Sequence, residues 1–474
     1  MPVQAAARPP LGGEDHEMPL TGRLSTFIRQ AEIDDATRRR AVAAILDTLA
    51  VTVAGGAEPA VRRLAATLDP RQDGEVASLW AMAAYRADDA ALLFGMASHI
   101  LDYDDVSMLS VCHPTAPVLS AALCARPWSD LSGEDLADAV AIGTEVMIRL
   151  GQAMGFRHYA LGFHATATLG TIGAAAAAAR LMRLDHAATA HALAIATSLA
   201  SGLRKNFGSM VKSLHVGIAA SNGLKAARWA AAGIEGAAEA FEQEGFLKAF
   251  SGGETERWPG HLALGSPFVL SEPGFEQKRY PCCYLLHKMI EATLGLAREA
   301  RVGLADIASA RVDMPPGGTK PLIHPFPQSG LNALFSAPYA VTASLADGRI
   351  DLKSFTDAAV LRPEIQSRLR DVMVVEAAGT SLQGADVGGA PVTVTLTLRN
   401  GTKRAKTVQA SPGSLQDPLT PEQLAAKWTD CLQRAAPGID GSLALRLFGQ
   451  GSDLAALPRA GDWLLALRSA VSAA

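Results

Sequence analysis

The chain has 474 residues, of which 49% are hydrophobic and only 5% aromatic, so it is long enough for a large core and more than one domain. The net charge of −4 gives no basic field for nucleic acid or anionic lipid. The cysteines follow no repeating spacing, which favours a reducing compartment over a disulfide framework. No run reaches the ~18–20 apolar residues of a bilayer span. We therefore expect a cytoplasmic protein with neither nucleic-acid nor membrane partners.

Helical periodicity dominates the first half of the chain. Residues 1–20 lack the apolar core of a signal peptide and are predicted to be a disordered leader. From residue 21 to 267 apolar residues recur at helical spacing, with helix-start signals at Ser132 and Asp185. This stretch predicts the first part of a multi-helix domain. The predicted helices are 21–55, Ala60–Leu68, Asp88–Ile100, Ala116–Cys124, Gly133–Leu150, Thr166–Leu181, Asp185–Ser201 and Leu214–Ala232.

The pattern changes near residue 268, where β-branched runs and Pro/Gly-rich sequence begin. Strands are predicted at Ile307–Met314, Val372–Glu376 and Val392–Leu398, with strand-like pieces at Phe268–Leu270 and Glu276–Tyr280, and with helices at Leu285–Ala300 and Leu334–Leu345. Asn400–Gly401 is a strong hairpin signal after the last strand. Residues 409–474 return to helix. The predicted fold class is therefore mainly α: a large multi-helix domain (21–267 and 409–474) with a smaller inserted α/β lid domain (268–408).

An acidic stretch, SHILDYDDVSMLSVCHP, interrupts the helical half. It places Asp102, Asp104 and Asp105 between His99 and His113. Burial of carboxylates between apolar helices costs free energy unless the carboxylates are solvated, are paired with a positive charge or have a chemical role. The stretch is either a polar loop that caps the next helix or an active-site loop.

Four further groups place polar or reactive side chains beside apolar helices. A histidine at a helix N-terminus tends to be neutral and can exchange a proton, and cations near free backbone N–H groups make an anion site. Each group also has a structural explanation: a helix cap, a solvated lysine, a core cysteine or a buried tyrosine. The groups are His164 in GFHAT, Arg204 with Lys212 and His215, Lys278 with Arg279 and Cys283 in KRYPCC, and Tyr339 in FSAPY.

Metal and cofactor motifs are not found. Cys282, Cys283 and His287 have the wrong spacing for a structural zinc site. The run DYDD lacks the alternation and central glycine of a calcium loop. The sequence contains no GxGxxG after a strand, no GxxxxGK[ST] and no GxSxG. The missing motifs exclude the usual dinucleotide, nucleotide and hydrolase sites, while Mg²⁺ binding by the acidic cluster stays open at this point.

These motifs together resemble the MmgE/PrpD family, which includes 2-methylcitrate dehydratases, cis-aconitate decarboxylases and an iminodisuccinate epimerase. The resemblance runs from ILDTLAVTVAG (45–55) to DVMVVEA (371–377). Its motifs are, in order, HILDYDD, HPTAPVL, GFHATAT, GSMVKSLHVGIAASNGLKAA, KRYPCCYLLH and FSAPYAVTASLADG. The resemblance implies a helical domain with an α/β lid, a homodimer, a small carboxylate substrate bound between the domains, and catalysis without metal or organic cofactor.

The resemblance also implies which residues form the site. We expect His113 and His164 to act as acid and base, since imidazole titrates near neutrality. Lys212 and Lys278 are expected to hold substrate carboxylates, and Asp102 to orient a histidine or act as a base. The candidate catalytic residues are Asp102, His113, His164, Lys212 and Tyr339; the candidate substrate-binding residues are Lys278, Arg204, Arg279, His215 and Cys283.

Departures from the family pattern leave the reaction open. Val106 stands where members often have Thr, and Cys283 stands where the decarboxylases have His. The segment between DYDD and HP is one residue longer than in the decarboxylases. Replacement of a histidine acid by a thiol favours a hydro-lyase of the 2-methylcitrate dehydratase kind. The alternatives are an epimerase or isomerase of an imino- or aminodicarboxylate, a cis-aconitate-type decarboxylase, and a non-catalytic member, which the retained histidines and lysines argue against.

Overall fold

The computed structural model describes residues 18–71, 74–242, 244–253 and 262–474. The predicted leader lies mostly outside these residues, and the first helix begins at Leu20. Helices hold 58% of the residues and strands 8%, so the predicted fold class is confirmed. Among the described residues no individual helix is long and apolar enough for a membrane crossing, although two successive helices, bent by 78°, pass that test together.

Helices α1–α10 form the first part of the helical body. They are α1 (Leu20–Gln30), α2 (Asp35–Gly56), α3 (Pro59–Ala65), α4 (Ala87–Ile100), α5 (Thr115–Ala125), α6 (Gly133–Ala160), α7 (Ala165–Leu181), α8 (His186–Leu199), α9 (Met210–Ala231) and α10 (Phe246–Ser251). A short antiparallel ribbon, β1 (Val76–Ala77) and β2 (Ala84–Tyr85), precedes α4. Both predicted helix starts are capped: the side chain of Ser132 accepts from Asp135 N, and that of Asp185 accepts from Ala188 N.

Small residues let the central helices approach closely. The Ala-rich helix α7 is buried over nearly its whole length and packs against α5, α6, α8 and α9. Helices α4 and α9 cross at Gly95 and Gly217, where a Cβ on Gly95 would lie only 2.7 Å from Gly217 Cα. This crossing brings the end of α4 to the start of α9, where Asp102 and Lys212 meet.

The α/β unit follows the helical body. Its sheet has the order β4-β3-β5-β6, with β3 parallel to β4 and antiparallel to β5. Three predicted strands agree in their bounds, and the predicted hairpin joins β5 to β6. The elements are α11 (His287–Ala300), β3 (Ile307–Met314), α12 (Gly330–Ala333), α13 (Ala337–Asp347), α14 (Asp357–Val360), α15 (Pro363–Gln366), β4 (Val372–Glu376), α16 (Gly384–Gly389), β5 (Val392–Leu398) and β6 (Lys403–Val408).

The two predicted strand-like pieces near residue 270 were wrong. Residues 268–270 lie in a turn, where Val269 N donates to the buried carboxylate of Glu145 at 2.6 Å instead of to a strand. In the second piece only Glu276 pairs, through a single bridge to Val106. Their apolar side chains are buried by loop packing, which the β-like composition does not distinguish from a strand.

The last helices return to the helical body. They are α17 (Pro421–Ala435), α18 (Gly441–Ser452) and α19 (Ala460–Ser472). Helix α17 packs against α2, and the two are joined by a buried ion pair between Lys427 and Asp47. The chain thus leaves the helical body and comes back to it; the domain bounds at 267 and 408 stay predictions.

Candidate active site

A cavity lies where the helical body meets the α/β unit. It is lined by six of the ten residues predicted for the site: Asp102, His113, His164, Lys212, Lys278 and Cys283. Much of the remaining wall is apolar or aromatic and includes Val106, Met108, Tyr284, Leu285 and Val387. The cavity therefore combines one charged, proton-exchanging region with a largely apolar surround.

Asp102 lies at the centre of the charged region. Its Oδ1 is 2.7 Å from Lys212 Nζ and 3.0 Å from Lys278 Nζ. Lys278 Nζ also donates to the backbone oxygen of Asp102 at 2.8 Å. The three residues are only 2%, 5% and 1% exposed, in the order Asp102, Lys212 and Lys278. Two ammonium groups thus share one carboxylate and retain donors for a substrate anion.

Local backbone structure fixes this arrangement. Asp102 follows the end of α4 with φ of 47°, in the left-handed region that aspartate tolerates better than most residues. Its N–H donates to His99 O at 3.1 Å, which closes the last turn. Lys212 lies in the first turn of α9, whose cap Ser209 accepts from Val211 N. The end of α4 and the start of α9 thus bring the Asp102 carboxylate and the Lys212 ammonium group together.

Burial and charge act in opposite directions on these groups. Burial alone would raise the pKa of Asp102, but the charges of Lys212 and Lys278 hold that pKa well below its usual range. Burial would lower the pKa of Lys278, but Asp102 raises it above its ordinary value. Both Asp102 and Lys278 therefore stay charged at neutral pH.

His113 presents an unprotonated ring nitrogen to the cavity. Its Nδ1 lies 2.8 Å from the carbonyl oxygen of Asp105 and 3.3 Å from Asp104 Oδ2. Because a carbonyl oxygen only accepts, Nδ1 carries the proton and Nε2 is left with its lone pair. Nε2 lies 3.9 Å from Asp102 Oδ1. Burial lowers the pKa of His113, against the opposing charge of Asp104, so the ring is neutral and can act as a base.

Asp104 lies behind the cavity and orients two imidazoles. Its Oδ2 is 2.8 Å from His99 Nδ1. Burial would raise the pKa of Asp104, but His99 and His113 hold it well below the usual range. Burial lowers the pKa of His99 to about 3, so this ring is neutral as well. Asp104 is thus a positioning carboxylate for His113.

His164 supplies the second imidazole of the cavity. It immediately precedes α7, and its Nδ1 lies 3.3 Å from His215 Nδ1. Its Nε2 is buried and has no hydrogen-bond partner among the described residues. Burial, together with the charge of Lys212 and the nearby imidazoles, lowers the pKa of His164 well below its usual value. A neutral ring with an unused nitrogen is free to exchange a proton with a ligand.

Asp105 is a protonated acid at neutral pH. Its buried carboxyl group accepts from Thr115 N at 3.2 Å and is hydrogen-bonded to the Thr115 hydroxyl. Burial raises the pKa of Asp105 to about 8, and the Thr115 hydrogen bonds only partly oppose this shift. The folded chain therefore binds more protons here than the unfolded chain between roughly pH 4 and 8, and the stabilising contribution of this group falls as pH rises.

The variant Asp105→Asn tests this assignment, because asparagine keeps the neutral shape of the protonated acid. We expect the free energy of unfolding of the variant, relative to that of the wild type, to rise by about 1.4 kcal/mol for each pH unit between pH 5 and 7. Urea unfolding of both proteins at several pH values measures the difference. A difference that does not change with pH would show that Asp105 is ionised in the folded chain.

The positive charge of Lys212 and Lys278 disfavours a metal site at these residues. Ligand atoms of His99, Asp102, Asp104 and His113 lie within 4.8 Å of one another. Two ammonium groups already contact Asp102 Oδ1, and the shared Oδ2 of Asp104 faces two ring nitrogens. A divalent cation there would face the charge of both lysines at short range.

Four predicted site residues do not line the cavity. Tyr339 is buried in the α/β unit and donates its hydroxyl to Ser354 O, so contact with substrate would require that bond to break. The Arg204 guanidinium lies 4.1 Å from the centre of the Tyr159 ring, behind this cavity-lining residue. Arg279 is oriented toward Tyr280. His215 contacts His164 and can set its tautomer without touching substrate.

Sequence reasoning missed other residues of the cavity wall. Thr166 lines the cavity, and its hydroxyl accepts from His113 N at 3.1 Å. Its place in GFHAT, two residues after His164, was a usable signal. Lys320 also lines the cavity, from a Pro/Gly-rich loop of the α/β unit. A lone lysine in such a loop has no local pattern that points to a site.

Comparison with known proteins gives matches over most of the chain. A family model described as the MmgE/PrpD N-terminal domain matches residues 22–258, and one described as the MmgE/PrpD C-terminal domain matches residues 280–440. The chain is 29% identical over 347 residues to cis-aconitate decarboxylase of Homo sapiens, covering 72% of this chain and 71% of that protein. It is 28% identical over 415 residues to cis-aconitate decarboxylase of Mus musculus, covering 84% and 82%. For cis-aconitate decarboxylase of Aspergillus terreus (strain NIH 2624 / FGSC A1156), the identity is 26% over 354 residues, covering 71% and 72%.

Proposed function

The chain belongs to the MmgE/PrpD family, and on that premise we propose that it is a lyase that removes a proton from a carbon next to a carboxylate of a small tricarboxylate. The observation that carries the proposal is the neutral, unprotonated Nε2 of His113 beside two ammonium groups in one cavity. We propose dehydration, of the 2-methylcitrate dehydratase kind, as the reaction.

The proposed mechanism uses side chains that line the cavity. Lys212 and Lys278 bind the carboxylate next to the reacting carbon and stabilise the enolate-like charge that develops on it. His113 Nε2 takes the proton from that carbon. The electron pair of the broken C–H bond forms the carbon–carbon double bond, and the C–O bond to the neighbouring hydroxyl breaks. His164 donates a hydrogen bond from Nε2 to the departing oxygen, which requires its Nδ1 to accept from His215. The proton taken up by His113 passes to that oxygen, so that the hydroxyl leaves as water and both imidazoles end neutral.

A decarboxylase of the cis-aconitate type is the second candidate, because the curated relatives carry that name. There the carbon–carbon bond to a carboxylate would break, carbon dioxide would leave, and the remaining carbanion would be protonated. The protein departs from that pattern at Cys283, which lines the cavity. Burial, reinforced by the charge of Asp102, raises the pKa of the Cys283 thiol to about 11, so this group is a poor acid near neutral pH.

A substrate panel separates these candidates. The purified protein is incubated with 2-methylcitrate, citrate and cis-aconitate, and unsaturated product is followed by ultraviolet absorbance and carbon dioxide release by a coupled assay. Dehydration without carbon dioxide supports the first candidate, and carbon dioxide from cis-aconitate supports the second. Uptake of solvent deuterium without net conversion would replace both by an isomerase. Light scattering on the same sample measures whether the protein is the homodimer that the family resemblance implies.

Cys283→His provides a sharper test of the decarboxylase alternative. The substitution restores the imidazole that the decarboxylases have at this position, and we expect it to raise carbon dioxide release from cis-aconitate by about tenfold or more, since a positioned general acid contributes at least that much. Cys283→Ser is the matched control, because it changes the thiol without adding an acid of suitable pKa. Equal rates in both variants would show that this position does not decide the reaction.

A further inference from the structure

The charged region of the cavity has too little positive charge for a tricarboxylate. Lys212 and Lys278 contribute two positive charges, and the ionised Asp102 and Asp104 offset both. His113 is neutral there. A tricarboxylate brings about three negative charges at neutral pH, and burying them without counter-charges is costly. A further cation is needed at the cavity wall.

Lys320 is the remaining ammonium group among the described residues that line the cavity. Its side chain is exposed and forms no ion pair with an acid of the described chain. Against the effect of burial, hydrogen bonds from Thr319 and Gly317 and, to a smaller extent, the charge of Lys320 lower the pKa of the nearby Glu376. The hydrogen bonds of this carboxylate are to Gly317 N at 2.7 Å, to Thr319 N at 3.1 Å and to the Thr319 hydroxyl, and none is to Lys320. The Lys320 ammonium group therefore keeps its donors available for a ligand.

The backbone beneath Lys320 is held in place. Leu382 N donates to Pro316 O at 2.9 Å, and Leu322 N donates to Thr319 O at 2.9 Å. Gly317 has φ of 87°, and a Cβ there would lie 2.8 Å from Leu382 O, so only glycine fits this turn. A fixed backbone with a flexible four-carbon side chain lets the ammonium group follow a carboxylate without a change in the loop.

We propose that Lys320 binds one of the two substrate carboxylates that Lys212 and Lys278 do not hold, and that it thereby selects tricarboxylates over dicarboxylates. The inference rests on the proposed function, since it takes the substrate to be a small polycarboxylate. The buried lysines act at the reacting carbon, whereas Lys320 acts at the solvent-exposed side of the cavity. Lys320 is thus a specificity residue and not a proton-transfer group.

The test compares two anions of equal chain length, propane-1,2,3-tricarboxylate and pentanedioate, by titration calorimetry. We expect Lys320→Gln to weaken binding of the tricarboxylate about tenfold, which corresponds to one lost charge-assisted contact, and to leave the dicarboxylate nearly unchanged. Lys320→Arg keeps the charge and should retain most of the affinity. Lys403→Gln, at an exposed lysine of β6, is the matched control, and melting temperatures verify that all variants fold.

The outcomes separate this inference from the proposed function. Loss of tricarboxylate affinity in Lys320→Gln without any lyase turnover in the wild type would support the role of Lys320 and reject the proposed reaction. Turnover in the wild type with equal affinities in wild type and Lys320→Gln would overturn the role of Lys320 and leave the reaction standing. An equal loss for both anions, or no binding of the tricarboxylate by the wild type, would also overturn the proposed selectivity.

Discussion

We expect His113→Asn to lower kcat by about 10²–10⁴-fold, the range for loss of a general base, with little change in stability. Asparagine places its side-chain N–H close to where the histidine has Nδ1–H, so the hydrogen bond to Asp105 O at 2.8 Å can be kept. It has no counterpart of Nε2, the atom that presents a lone pair to the cavity. The substitution therefore removes the base and leaves the local structure in place.

Two measurements separate this chemical role from a structural one. Exchange of the substrate's carbon-bound hydrogen with deuterated water reports proton abstraction directly, and we expect it to disappear with turnover. His113→Ala should lose stability as well as activity, because the hydrogen bond to Asp105 is lost. His191→Asn, at a half-buried histidine that contacts Gly236, is the control. A His113→Asn enzyme with nearly full kcat would shift the role of base to His164.

Local patterns were sufficient to predict most of the fold. The alternation in VTVTLTL and the Asn-Gly turn after it define β5 and the hairpin to β6, because both signals come from neighbours in the chain. The Ala-rich sequence of α7 predicted a helix for the same reason. Phe268–Leu270 failed because its apolar residues are buried by loop packing, with Glu145 as the backbone's partner. A carboxylate more than a hundred residues away leaves no local signal.

The site was predictable as far as its residues lie in recognisable motifs, and several of these motifs lie at helix ends. Asp102 and Lys212 converge because the end of α4 meets the start of α9, and both motifs marked those ends. Tyr339 also lies near a helix start, but its hydroxyl reaches Ser354 instead of the cavity. Lys320 joins the site through the packing of a loop, which depends on Glu376 and other distant partners. Convergence of this kind is a tertiary property and cannot be deduced from spacing.

Lys427→Met is expected to lower the free energy of unfolding by about 3–5 kcal/mol, the usual effect of breaking a buried ion pair from one side. Lys427 Nζ lies 2.7 Å from Asp47 Oδ1, and their side chains are only 2% and 0% exposed. The substitution leaves the Asp47 carboxylate buried without its cation. Chemical denaturation measures the loss. Lys248→Met, which removes an exposed pair with Glu244, should cost less than about 1 kcal/mol.

The same ammonium group also supports the site, and a double variant separates its two roles. Lys427 Nζ donates to Tyr103 O at 2.8 Å and to Lys278 O at 3.0 Å. It therefore joins the backbone next to Asp102 to the backbone of Lys278. Asp47→Leu combined with Lys427→Met should recover much of the stability, because no unpaired charge remains. It should not recover kcat/KM, because both carbonyl groups have still lost their donor. Recovery of stability and activity together would show that the pair only stabilises the fold; recovery of stability alone would make Lys427 a positioning residue for the Asp102–Lys278 contact.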